Sequence, residues 1–199
     1  MPAEPARTRT RLSADERRRQ LIGIGLRLLV DRPIHELSID EVAAEAGISR
    51  GLLFRYFPTK RDYYYAVVEA AGRRLLKHAK APETGTSRER VRGIVTGFVS
   101  FVQRRRTNYV ALVRVAAGGD PLVLKVFEGH RRTIAERVLA AAEQERPTAL
   151  TSLAVRGWLA MAEEMAVEST EEVVPAEELI DFLVANLDRV LDLSRATSA

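Results

Sequence analysis

With 199 residues, 46% hydrophobic and 29% charged, the chain has the make-up of a globular protein with a substantial core, which excludes a disordered chain. It has no cysteine, so disulfides and thiolate zinc sites are excluded, and a cytoplasmic location is expected. The net charge of +4 is uneven: residues 1–80 hold 16 Lys and Arg against 10 Asp and Glu, whereas residues 81–199 hold 15 against 17, so an anionic partner is expected for the first part only.

The opening residues, MPAEPARTRTRL, are basic but lack the apolar run of a secretory signal. Ser13 and Glu16 have the spacing of a capping box, in which the two side chains satisfy free backbone N–H groups at a helix start. Leu21, Ile22, Ile24, Leu28 and Leu29 then make one apolar face, and Arg32-Pro33 ends the run. Gly23 and Gly25 inside this helix each cost ~1 kcal/mol relative to alanine, which close helix packing would justify. Ser38-Ile39-Asp40-Glu41 is a second capping box. Ile39, Val42, Ala43 and Ala46 follow at helical spacing, and Gly47 stops this short helix. Ser49 caps a third short helix closed by Pro58, and Thr59 with Asp62 starts a long one that runs to about Lys80.

After the loop at 81–86, helices are predicted over about 87–106, 108–117, 121–145, 147–171 and 175–193. The first of these contains Gly93 to Gln103, the longest stretch without Asp, Glu, Lys or Arg; at eleven residues it is short of the ~20 that cross a bilayer, so no membrane partner is expected. Alternating β-branched patterns and internal repeats are absent. The expected fold is all-α.

Two short helices joined across a glycine turn outline a helix-turn-helix. A major groove about 12 Å wide admits one helix, so the reading helix must be anchored on one side and bare on the other. Leu53 and Phe57 fall together and, with Ile48, can pack on Val42 and Ala46. The opposite arc carries Gly51, Leu52, Phe54 and Arg55, flanked by Arg50 and Tyr56. Large apolar residues there suit thymine methyl groups, and Gly51 with the cap at Ser49 suits close approach to phosphate. The plainer alternative is a tight helical corner with Leu52 and Phe54 buried under the rest of the chain.

The segment SIDEVAAEAGISRGLLFRYFPTKRDYYYAVVEA (Ser38–Ala70), preceded by an amphipathic helix with an Arg-rich start, resembles the N-terminal domain of the TetR/AcrR family of transcriptional regulators. The likeness covers about residues 13–70. It implies a three-helix DNA-binding domain over 1–60, with a flexible basic tail, and a larger helical domain over 61–199 that binds a ligand and dimerises. By the same resemblance, Ser49, Arg50, Gly51, Leu52, Phe54 and Tyr56 meet bases and phosphates of double-stranded DNA, while Ser38 and Lys60 contact phosphate. Phe54 departs from the commoner tyrosine and lacks its hydroxyl; Arg55 is a substitute phosphate partner. Arg7, Arg9 and Arg11 are either disordered tail or further contacts along the duplex.

The resemblance further implies a homodimer formed through the last two helices. The stripe Ile180, Leu183, Val184, Leu187, Val190 and Leu191 fits that role as well as core packing. An apolar effector pocket is expected from Phe98, Phe101, Val102, Tyr109, Phe127, Trp158, Met161 and Met165, with Arg114 and the pair Glu163/Glu164 as polar anchors; plain core is the competing reading for any one of them. The expected activity is that of a repressor on a palindromic operator, released by a small hydrophobic effector. No cofactor, metal or catalysis is expected: His35, His78 and His130 lack metal spacing, and Gly-x-Ser-x-Gly and phosphate-loop motifs are absent. Glu163, Glu164 and Glu168 read as a solvated helix face. A helical protein-interaction module without DNA binding is the alternative.

Overall fold

A computed structural model describes the backbone of residues 12–31, 36–117 and 120–198, and side chains within these spans except 29–31, 114–117 and 198. Among the described residues there are nine α-helices and no strand. The tail arginines Arg7, Arg9 and Arg11, the Arg32-Pro33 stop and His35 lie outside the described residues, as does the side chain of Arg114.

The first four helices are α1 (Ala14–Asp31), α2 (Ile39–Glu45), α3 (Arg50–Tyr56) and α4 (Lys60–His78). Each begins where a side chain satisfies the backbone. Ser13 N–H donates to Glu16 Oε2 at 2.8 Å, and Glu16 N–H returns to Ser13 Oγ at 3.3 Å. Ser38 Oγ accepts from Glu41 N–H and Ser49 Oγ from Leu52 N–H. Thr59 and Asp62 form a complete reciprocal box. Between α2 and α3 the chain turns at Gly47, whose φ of 64° is the left-handed conformation that closes a helix with Ile48 N–H donating to Ala43 C=O.

These helices enclose a core of Leu21, Ile24, Val42, Leu53, Phe57, Tyr63 and Val67, all at most 1% exposed. Gly25 allows α1 and α4 to meet: a Cβ there would lie 2.5 Å from Tyr63 Oη and 2.7 Å from Val67 Cγ2. Tyr63 Oη is thereby close enough to donate to Leu21 C=O at 2.8 Å, and its ring packs edge-on against Phe57 at 5.0 Å.

The remaining helices are α5 (Ser87–Arg104), α6 (Arg106–Ala117), α7 (Pro121–Ala141), α8 (Ala149–Glu168) and α9 (Ala176–Ser198). They build a second core around Ile94, Val99, Ile134, Val155, Leu183 and Leu187. α4 belongs to both cores, with Val67 in the first and Leu75 in the second. A strut ties its first turn to α7: Asp120 caps α7 through Leu122 and Val123 N–H, accepts from Tyr65 Oη at 2.7 Å and pairs with Arg61 at 3.1 Å.

Some helix ends differ from the sequence expectation. α5 stops at Arg104 because Arg105 leaves helical geometry (φ −129°, ψ 27°). α7 ends at Ala141 because Glu143 takes φ 57° and Gln144 N–H closes onto Leu139 C=O at 2.9 Å. That is a glycine-type helix stop made by glutamate, so no residue type marks it. The stripe on α9 is largely consumed within the subunit, where Ile180, Leu183, Val184, Leu187 and Leu191 are buried and Val190 is half-buried.

Candidate functional site

The anchored side of α3 is sealed, since Leu53 is 0% and Phe57 1% exposed. Away from it, Ser49, Arg50, Gly51 and Arg55 are exposed, and so is Lys60 at the start of α4. A Cβ at Gly51 would find nothing within 4 Å, so the first turn of α3 stands open for close approach. Ser38, at the head of α2, is half-buried with its hydroxyl on Glu41 N–H. One stretch of chain thus brings Ser38, Ser49, Arg50, Gly51, Arg55 and Lys60 to the starts and outer face of α2, α3 and α4.

The outward arc needs one correction. Leu52 and Phe54 are half-buried rather than bare, and Phe54 and Tyr56 pack against the rim of the N-terminal core. At 100° per residue, Phe54 and Tyr56 each lie about 80° from the Leu53–Phe57 direction, so they flank the anchor while Arg55 stands opposite it. Phe54 also carries the guanidinium of Arg50 over its ring at 5.5 Å. Arg50 reaches Asp40 Oδ2 at 3.2 Å. Both partners are exposed, and a contact of that kind contributes under about 1 kcal/mol, so it orients Arg50 without committing it.

A cavity lies between α4, α5, α6, α7 and α8, with about 590 Å³ of empty space including its mouth. Five of the expected residues, Phe98, Phe101, Tyr109, Phe127 and the expected polar anchor Glu163, line it; the rings of Tyr109 and Phe127 are 6.0 Å apart. Val102 is instead fully buried in the core. Trp158 borders a separate, smaller void and donates from Nε1 to Leu183 C=O at 3.1 Å. Met161 and Met165 are half-buried at the edge of the same core and line neither space.

Three polar walls complete the cavity: His130, Arg131 and Glu163. Glu163 is 5% exposed, so the expectation of a solvated face fails at this residue, although Glu164 and Glu168 are exposed. Its carboxylate accepts from Tyr109 Oη and from Arg131, whose Nε lies 2.7 Å from Oε2 and whose Nη2 reaches the same oxygen. Burial, reinforced by the Glu163 charge and hydrogen bond, pushes the Tyr109 phenol well above its ordinary range, so it remains the donor. Burial pushes the His130 imidazole below its usual value, against an opposing pull from Glu69. Sequence reasoning missed Arg131, His130 and the α4 wall of Val68, Ala71, Gly72 and Leu75. The spacing of Phe127 and Arg131 one turn apart, with the guanidinium 4.9 Å above the ring, was the available signal.

Leu150 and Leu153 on α8 and Phe182 and Leu193 on α9 are exposed, at 42%, 64%, 48% and 69%. No helix among the described residues is long and apolar enough to cross a membrane.

Known proteins share both parts of this architecture. The family described as bacterial regulatory proteins, tetR family, matches residues 21–67, and the tetracyclin repressor-like C-terminal domain matches residues 87–188. The HTH-type transcriptional activator FasR of Mycolicibacterium smegmatis is 33% identical over 110 residues, 54% of this chain and 50% of its own. The HTH-type transcriptional regulator EthR of Mycobacterium tuberculosis is 41% identical over 54 residues, 27% of this chain and 25% of its own. The matches thus span half or less of the length of these curated relatives. The crystal structure of a tetR-family transcriptional regulator from Streptomyces coelicolor superposes with a TM-score of 0.82 at 30% identity, covering 94% of this chain and 85% of that one. A C-terminal match spanning more than half of the chain, joined to an N-terminal match over the helix-turn-helix, makes the chain a member of the TetR family of bacterial DNA-binding transcriptional regulators.

Proposed function

We propose that the protein is an effector-released repressor that binds a palindromic double-stranded operator as a homodimer. Residues 1–60 act as the DNA-binding part and residues 61–199 as the effector-binding and dimerisation part. The observation that carries this reading is the division of α3: Leu53 and Phe57 are sealed, while Arg50, Gly51 and Arg55 remain exposed beside Lys60. Arg50 and Leu52 read base edges. Ser38, Ser49, Gly51, Arg55 and Lys60 hold phosphate, and Phe54 and Tyr56 support the helix from its flanks while touching the backbone at the groove edge.

Two such helices reach successive major grooves if the subunits associate through α8 and α9, placing half-sites ~34 Å apart. The exposed Leu153 and Phe182 support that association. The cavity supports a small hydrophobic effector, which releases DNA by binding better to a subunit arrangement that no longer matches the groove spacing. An activating sign is the second reading, favoured by the likeness to the M. smegmatis relative, a transcriptional activator.

Selection of bound fragments from the source genome tests the reading. A two-fold symmetric site upstream of a gene is the expected product; fragments without symmetry, or no enrichment, contradict it. Transcription from the recovered promoter with and without the protein then separates repression from activation.

A further inference from the structure

The chemistry of the cavity wall says what kind of effector it takes, an inference that rests on the effector reading above. Among the described residues, every wall residue is apolar or aromatic except His130, Arg131 and Glu163, and the charges of the last two cancel. Glu163 holds two of the three guanidinium nitrogens of Arg131 and the only proton of the Tyr109 hydroxyl. Arg131 Nη1, the second hydrogen of Nη2 and one imidazole N–H of His130 remain as donors beside an apolar space lined by Phe98, Phe101 and Phe127. A ligand acceptor such as a carbonyl can take any of these hydrogen bonds without bringing a charge inside.

A ligand carboxylate meets different conditions. The one cation in the wall among the described residues, Arg131, is already paired and 44% exposed, so water screens its pull, whereas the Glu163 carboxylate beside it is buried; the incoming anion loses its hydration and gains repulsion from a buried like charge. An ammonium would meet the Arg131 guanidinium in the same way.

We propose that the cavity selects an uncharged, mainly apolar molecule with a single hydrogen-bond acceptor of the ketone, ester or amide type, and that the Arg131–Glu163–Tyr109 cluster excludes the free acid of the same chain length. Glu163 is the specificity residue: it withholds Arg131 from acids.

Calorimetric titration of the full chain with 2-decanone and with decanoate, two probes of equal chain length that differ in charge, at about pH 7.5 tests this. The wild type binds the ketone at least about tenfold more tightly than the acid. In Glu163→Gln, folded by circular dichroism, decanoate gains at least about tenfold while the ketone changes less than about threefold, because Arg131 is released. Decanoate binding to the wild type as tightly as the ketone overturns the inference and leaves the hydrophobic-effector reading standing; so does a folded Glu163→Gln that gains nothing for the acid. If neither probe binds the wild type up to its solubility limit, the effector reading itself fails. The wild-type comparison decides the matter even where the variant does not fold.

Discussion

At Gly72 a hydrogen stands where any other residue would place a carbon 1.7 Å from Cε1 of the His130 ring. This is where α4, shared by both cores, touches α7 across the cavity, so side-chain size at one position sets how closely the helix between the two parts approaches the cavity wall. Gly72→Ala must push the imidazole or the helix away. It is expected to lower stability by about 1–3 kcal/mol, the usual result of overpacking, and to change operator affinity although residue 72 is far along α4 from α3. Denaturant melts and a binding titration check both effects. The neighbouring imidazole adds a pH dependence. Burial, with Arg73 acting in the same direction against Glu69, depresses the folded-state value of His130 below its ordinary 6.5. Stability from the neutral ring is therefore present above about pH 6.5 and falls as pH drops through the depressed value. His130→Gln is expected to flatten the decline in melting temperature between about pH 7 and 5; an unchanged decline would assign it to other groups.

Among the elements, the helix starts were legible and some of the stops were not, and the reason is chemical. Ser13, Ser38, Ser49 and Thr59 cap with side chains whose spacing to Glu16, Glu41, Leu52 and Asp62 is written locally. The end of α7 depends on a left-handed Glu143, which composition does not reveal. Replacing Glu143 with glycine removes the Cβ penalty of that conformation and is expected to stabilise the protein by about 1 kcal/mol, read as a higher melting temperature. The anchor Leu53 and Phe57 followed from periodicity, whereas the half-burial of Phe54 depended on how far the N-terminal core extends. In the cavity, the aromatic residues on α5, α6 and α7 were visible as helix faces. The Glu163–Arg131 pair was not, because its partners are 32 residues apart and meet only when α7 packs on α8.

At the scale of the molecule, the two cores, the shared α4 and the exposed residues of α8 and α9 form one chain of cause. Because the predicted α9 stripe is mostly used inside the subunit, the proposed association through α8 and α9 would rest on exposed side chains such as Phe182, Leu153 and Leu193. Phe182→Asp is expected to shift sedimentation from dimer to monomer at micromolar concentration with the helical signal unchanged, and to weaken operator binding because two recognition helices no longer act together. The central claim, that the outer face of α3 with Lys60 grips a duplex, is tested most directly by the salt dependence of binding to the recovered operator. Affinity is expected to fall by about a thousandfold or more from 50 to 200 mM salt. Lys60→Ala is expected to weaken every sequence alike and to flatten the slope by about two, one per subunit. Binding that ignores both salt and the loss of Lys60 would contradict that claim.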